Sequence, residues 1–406
     1  MATDVVTAFL RHGPDVLLLE RSDEVGSYPG QWGAVAGHAE GDPDGMARQE
    51  VREETGLDDG DVTLVRRGDP FEVEDPEHGT WVVHPYLFDA ATRDVDANWE
   101  TAAHEWVPAT EIRRRDTVPD LWQSYDAVRP TVETVAGDDA HGSAYLSLRA
   151  LDVLRDEAAL ADDWDAVAEV ARALRDAKPG MAVVRNRVNH AMAGASERTP
   201  GAVEASARHV AGDAAAADDR AAGAAADELD DASAVFTLSR SGTVAAALRD
   251  AELDRVTVAE SRPGGEGVAV AESLSATVDV TLTSDANVPA AVADCDAVLV
   301  GADAVFPDGR VVNKVGTRAA SLAARDADVP VLVACAADKV APEELPVGGE
   351  ASEPLYDGDA PVAVENPVFE VVPAGLVDRV VTDAGVLDAD GVADAAAERA
   401  AWGDWE

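Results

Sequence analysis

From residue 232 onward, short apolar runs alternate with stretches of helical spacing: SAVFTLS, DRVTVAES, VDVTLTS, DAVLVGAD, VPVLVAC and a final DRVVTDAG. Continuous runs rich in Val and Leu are what strands buried on both faces require, and intervening helices let successive strands run parallel. The rhythm therefore predicts a doubly wound parallel sheet over residues 232–406. Ligands of such sheets gather outside the carboxyl ends of the strands. Those ends carry Ser239, Ser261 with Arg262, Asp303, and the segment after Cys335.

Two other patterns precede this one. Residues 141–228 place apolar side chains at three- and four-residue intervals, as in SAYLSLRALDVLRDEAAL and WDAVAEVARALRDA, which predicts helices. The alanine-rich stretch at 211–230 reads as a surface helix rather than a tether. The opening stretch has β-like runs, VVTAFLR and DVLLLERS, one helix near 44–55, then DVTLVRRG and TWVVHPYLFDA, and closes at EWVPATEI. That is the pattern of a small α/β domain. Residues 112–140 mix Arg, Asp and Pro with little periodicity and read as a connector. The expected division is 1–125, then a linker and helical subdomain over 126–231, then a Rossmann-like sheet domain over 232–406.

The surface of these domains is acidic, with 79 Asp and Glu against 32 Lys and Arg and a formal charge of −47. Like charges at that density oppose compaction, but at about 1 M salt the screening length falls to roughly 3 Å. The expectation is a halophilic protein of a salt-rich cytoplasm, with no direct nucleic-acid binding, which needs basic surface. With 47% hydrophobic residues the chain can still bury a core. Two cysteines, Cys295 and Cys335, allow neither a disulfide framework nor a zinc cluster, and both read as small core residues. MATDVVTAFLRHG lacks a signal pattern and no apolar run is long enough for a bilayer, so no membrane partner is expected.

Within 37–57, GHAEGDPDGMARQEVREETGL, the residues Glu50, Glu53 and Glu54 follow i, i+3, i+4 spacing and share one helical face. Three carboxylates there can hold a hard divalent cation, Mg2+ or Mn2+, which neutralises diphosphate oxygens and acidifies water. Hydrolysis of a diphosphate is the chemistry that follows, with Glu53 and Glu54 as the catalytic candidates. Glu100 and Glu105 are further carboxylate candidates; Trp32 and Tyr28 read as packing anchors.

This segment resembles the Nudix box through Glu50, Glu53, Glu54, Gly56 and Leu57, with YPGQWGAVAG before it and EWVPATEI after it, over about the first 115 residues. The resemblance implies an α/β/α sandwich and a metal-dependent hydrolase of a nucleoside diphosphate derivative. Gln49 stands where that family has arginine, and the interval from Gly37 to Glu50 is two residues shorter than usual. Both departures bear on how the metal ligands are oriented.

Residues 140–390 resemble the initiation-factor-2B family, which joins exchange-factor subunits of translation initiation with methylthioribose-1-phosphate and ribose-1,5-bisphosphate isomerases. The resemblance rests on VLVGADAVFPDGRVVNKVGT, VTVAESRPGGEG and NPVFEVVPAGLVDRVVTDAG. It implies Asp303 as catalytic acid, Asn313 and Lys314 as substrate contacts, Arg262 as the arginine of a Glu-x-Arg-Pro segment, and Lys178 and Lys339 as phosphate contacts. The chain's three lysines all fall on these positions, and cations around one strand-end crevice suit a phosphomonoester. Ser239 replaces the cysteine that the isomerases pair with the aspartate, and His141 replaces an arginine. A hydroxyl exchanges protons near neutrality far less readily than a thiol of pKa about 8.5.

The leading expectation is a Nudix-type hydrolase fused to a module binding a sugar phosphate or nucleotide phosphate. One alternative is a non-catalytic regulatory subunit with a translation-initiation partner. The other is an isomerase working through Asp303, with Ser239 or a water as its partner. The resemblance also implies a homo-oligomer.

Overall fold

The computed structural model describes residues 2–39, 41–349, 351 and 354–406. It divides into two units, one of residues 1–131 and 155–161 and one of 132–154 and 162–406.

The first unit is built on the strand Thr3–His12. It pairs antiparallel with Asp15–Arg21 and Val35–His38 and parallel with Gly79–Ala90. Gly79–Ala90 in turn pairs antiparallel with Val62–Arg67 and Phe71–Asp75, while Thr101–Val107 pairs with Asp15–Arg21. The two-residue period sorts side chains between two cores. Val6, Ala8 and Leu10 pack with Ala47 and Val51 of the helix Pro43–Thr55, while Phe9 packs with Ile112, Leu121 and Tyr125 on the other face. The result is the expected α/β/α sandwich.

Three local signals define the helix Pro43–Thr55. Asp42 caps it by accepting from the Gly45 N–H at 3.2 Å, Pro43 opens it, and Gly56 closes it at φ +73°. The stretch read as a connector is more ordered than its composition suggests. It forms short helices at Ala109–Arg113, Leu121–Asp126 and Val132–Gly137. In the first unit Asp156 accepts from the Tyr125 hydroxyl at 3.2 Å, and Arg129 donates to Asp126 at 2.6 Å and to Glu157 at 2.8 Å. Ile112, Leu121, Tyr125 and Val128 of the segment also join the core around Phe9.

In the second unit the helices Trp164–Ala177, Ala182–Ala193 and Pro200–Asp227 lead into a seven-stranded sheet. The alanine-rich stretch lies in the last of these helices, and Ala214, Ala217, Ala221, Ala222 and Ala225 form its buried face. From edge to edge the strands are Asp279–Thr283, Arg255–Ala259, Ala234–Thr237, Ala297–Val300, Val331–Ala334, Arg379–Thr382 and Gly385–Leu387. All neighbours run parallel except the last pair. Both faces are apolar, with Phe236, Val298 and Val333 on one and Val235, Leu299 and Leu332 on the other. The chain fills three strands to one side and then returns to Ala297–Val300 on the other, so the sheet reverses direction beside Ala234–Thr237. A small antiparallel sheet of Ala304–Val305, Val311–Lys314 and Phe369–Val372 lies beyond. None of the described helices is long and apolar enough to cross a membrane.

Candidate functional sites

A cavity of about 530 Å³ in the first unit is lined by Arg21, Tyr28, Gly37, Glu50, Trp81 and Glu100, among others. Glu54 is buried beside it and its Oε1 accepts from the Ala36 N–H at 3.0 Å. Burial, with the charges of Glu50 and Glu100 adding to it, pushes the Glu54 carboxyl up to about 8, against the pull of the Ala36 N–H and Arg21. Glu53 lies on the exposed side of the helix, where Gln49 Nε2 donates to its Oε1 at 2.8 Å. The helix thus turns Glu50 and Glu54 toward the sheet and leaves Glu53 outside.

Tyr28 lines the cavity, donating its hydroxyl to Asp75 at 2.9 Å and accepting from Trp81 Nε1 at 3.3 Å. Trp32 instead packs under the Arg115 guanidinium, 4.2 Å from its ring centroid. Glu105 pairs with Arg115, away from the cavity.

The oxygen donors Glu50, Glu54 and Glu100 suit a hard divalent cation, whose charge would offset the burial and the repulsion that raise Glu54. Among the described residues no three or more His, Cys, Asp or Glu side chains stand close enough to hold a metal as they are.

The second unit holds a cavity of about 770 Å³ at the carboxyl ends of the strands. It brings together Ser239, Asp303, Asn313, Lys314 and Lys339. Ser239 follows the central strand at φ +63°, and its N–H donates to Ser261 Oγ at 2.7 Å. Ser261, at φ +68°, donates its N–H to Asp285 at 2.9 Å and its hydroxyl to the Ala259 carbonyl at 2.9 Å. These bonds hold two strand ends in a backbone region that side chains disfavour.

Asp303 Oδ1 accepts from Ser143 Oγ at 3.2 Å. Burial pushes the Asp303 carboxyl above the usual range, opposed by the Lys339 charge and the Ser143 bond. Lys339 Nζ donates to the Ala302 carbonyl at 2.7 Å. Buried Asn186 donates to the carbonyls of Asp338 at 2.8 Å and Val340 at 2.9 Å, one on each side of Lys339. Asn313 donates to Thr317 Oγ1 at 3.0 Å, and Lys314 donates to Glu266 at 2.9 Å and to the Pro263 carbonyl.

Lys178 and Arg262 do not line this cavity. Lys178 is held 2.9 Å from Asp139, and Arg262 is 58% exposed with its Nε 3.4 Å from Glu260. His141 does line it, with Nδ1 2.8 Å from Asp138 and its ring stacked on Tyr145. Both cysteines are buried, and burial pushes the Cys335 thiol up to about 12. Ser143, Asn186 and Glu266 escaped the sequence reading, because no local spacing links them to Asp303, Lys339 and Lys314. Glu266 does fall inside a segment that carries the family resemblance, VTVAESRPGGEG, and Ser143 lies two residues after His141.

A doubly wound sheet with polar strand ends around a crevice, preceded by an α/β/α sandwich, defines an α/β protein with a cavity in each part. Residues 139–389 match the Initiation factor 2 subunit family and residues 1–128 match the NUDIX domain. The chain belongs to the Initiation factor 2 subunit family and carries a NUDIX domain ahead of the family region. It is 29% identical over 289 residues to the ribose 1,5-bisphosphate isomerase of Haloferax volcanii, across 64% of this chain and 90% of that one. A second relative, the ribose 1,5-bisphosphate isomerase of Methanocaldococcus jannaschii, is 33% identical over 149 residues. That match spans 34% of this chain and about half, 47%, of the relative. The crystal structure of the Pyrococcus horikoshii OT3 translation initiation factor eIF-2B shares the fold, with a TM-score of 0.56 and 24% identity over 63% of this chain and 94% of that one.

Proposed function

We propose that the first domain hydrolyses a nucleoside diphosphate derivative and that the cavity of the second binds a sugar phosphate or nucleotide phosphate. The observation that carries the hydrolase reading is that Glu50 and Glu100 line one cavity with Glu54 buried beside it, its carboxyl raised first by burial and then by their charges. Nudix domains generally use divalent metals. Glu50 and Glu54 would hold Mg2+ or Mn2+ here, with Glu53 recruited from Gln49. Such a cation, when bound, neutralises diphosphate oxygens and acidifies water. The chain's own part is to orient Glu54 through the Ala36 N–H and to set Arg21 beside the carboxylates.

The proposed ligand of the second cavity is a ribose phosphate, in keeping with the names of the two isomerase relatives. Hydrolysis of an ADP-ribose-like compound by the first domain would release a molecule of that class. The test is phosphate-product release by the full chain at high salt, with Mg2+ or Mn2+, from nucleoside diphosphate sugars, dinucleoside polyphosphates and nucleoside triphosphates. Activity in wild type that is lost in Glu53→Gln and Glu50→Gln supports the hydrolase; a folded wild type inactive across the panel overturns it.

A second reading makes the second domain non-catalytic, a regulatory module with a translation-initiation partner and a homo-oligomeric assembly. It is favoured by the cavity's lining, which among the described residues contains Ser239 but no cysteine. Ribose-1,5-bisphosphate turnover that disappears in Asp303→Asn would overturn it and establish the isomerase instead.

A further inference from the structure

A phosphate entering the second domain's cavity meets an unfavourable balance of charge. Asp138, Asp139, Asp218, Asp219, Glu266 and Asp303 line it against Arg240, Lys314 and Lys339. Arg240 donates to the Ala140 carbonyl at 2.6 Å and Lys339 to the Ala302 carbonyl. Lys314 differs, because its ammonium meets a carboxylate directly: Glu266 Oε1, 2.9 Å away. The lysine side chain is only 4% exposed and that of Glu266 28%, so the pair is desolvated at the ammonium and half-buried at the glutamate.

The ammonium has two acceptors, Glu266 Oε1 and the Pro263 carbonyl, whereas the carboxylate is only half satisfied. Glu266 Oε2 is buried and has no hydrogen-bond partner among the described residues. Gly264, at φ +98°, leaves the space that the carboxylate fills, since a Cβ there would lie 2.7 Å from Glu266 Oε1. Pro263, Gly264, Glu266, Asn313 and Lys314 all face the same cavity.

We propose that Glu266 is a specificity-determining residue of this cavity: its carboxylate occupies the place on Lys314 that a ligand's phosphate takes, and a ligand binds by displacing it. The proposal rests on the reading of the cavity as a phosphate site. A phosphomonoester brings two charges and three terminal oxygens and can outcompete a single carboxylate for the ammonium. A carboxylate ligand brings no advantage over Glu266, and an unphosphorylated sugar brings no charge. The resident glutamate therefore filters ligands by the strength of their anionic group.

The experiment is calorimetric titration of the full chain at one fixed salt concentration with inorganic phosphate and, separately, ribose 5-phosphate. Wild type is compared with Glu266→Gln, which keeps the shape, with Glu266→Ala, which removes the group, and with Lys314→Met; thermal unfolding checks each fold. Removing the competing charge is expected to tighten phosphate binding about tenfold in the folded Glu266 variants, and Lys314→Met to abolish it. Wild-type binding that depends on Lys314 but is unchanged or weakened in both Glu266 variants overturns the proposal and leaves the phosphate site standing. Binding indifferent to Lys314→Met, or absent from every variant, overturns the phosphate-site reading as well.

Discussion

Gly37 and Glu50 lie in such close contact that a Cβ on residue 37 would sit 2.0 Å from Glu50 Oε1. The glycine is therefore what allows the carboxylate to rest against the strand Val35–His38 and face the cavity. Gly37→Ala is expected to swing Glu50 aside and lower diphosphate hydrolysis about 100-fold, since small misplacements of a positioned group cost that much. The nearest atoms, Oε1 and Cδ, are the far end of a flexible side chain that can rotate away, so stability should change by less than about 1 kcal/mol. Steady-state kinetics beside thermal unfolding separates the two effects.

Asp303 makes the second cavity pH-sensitive. Because burial raises its native pKa, the folded state binds this proton more tightly than the unfolded chain does. The stabilisation is complete below the unfolded value of about 3.9 and is lost as pH rises through the native value. Asp303→Asn cannot titrate, so the melting temperature of wild type relative to the variant should fall as pH rises above about 4. A difference that stays constant over that range would contradict the shift.

Neither thiol is available to solvent or to a ligand. Cys295 and Cys335 are both buried and burial raises both thiols, so the native protein should consume no thiol reagent and the unfolded chain two equivalents. Labelling of the native chain would show that a cysteine reaches a cavity after all.

The net charge of −47 predicts a stability that depends on salt. Going from about 1 M to about 0.1 M lengthens the screening distance from roughly 3 Å to roughly 10 Å and exposes the acidic surface to its own repulsion. The melting temperature should drop by about 5 °C or more. Calorimetry across a potassium chloride series checks this.

Much of the architecture is legible in the amino-acid pattern, because strands buried on both faces leave runs such as DAVLVGAD and VPVLVAC that few other elements tolerate. The helix Pro43–Thr55 carries its own punctuation in Asp42, Pro43 and Gly56. Side-chain placement is less legible. Helical spacing puts Glu53 on the face of Glu50 and Glu54, yet the sheet accepts only a narrow arc of that face, and Glu53 turns to Gln49. Ser143 and Asp303 are 160 residues apart and meet only because the helix Ser143–Leu160 begins at the strand-end crevice. Tyr28 reads as a packing residue beside glycines, but the fold gives its ring to the cavity and its hydroxyl to Asp75.

The two bonds from Asn186 that bracket Lys339 have a consequence for the energetics of ligand exchange. A lysine on a free loop would surrender backbone and side-chain motion each time a ligand arrived. Here the backbone on both sides of the ammonium's residue is pinned by a neighbouring helix before any ligand appears. The ordering entropy is spent once, during folding, and each binding event starts from a preorganised cation.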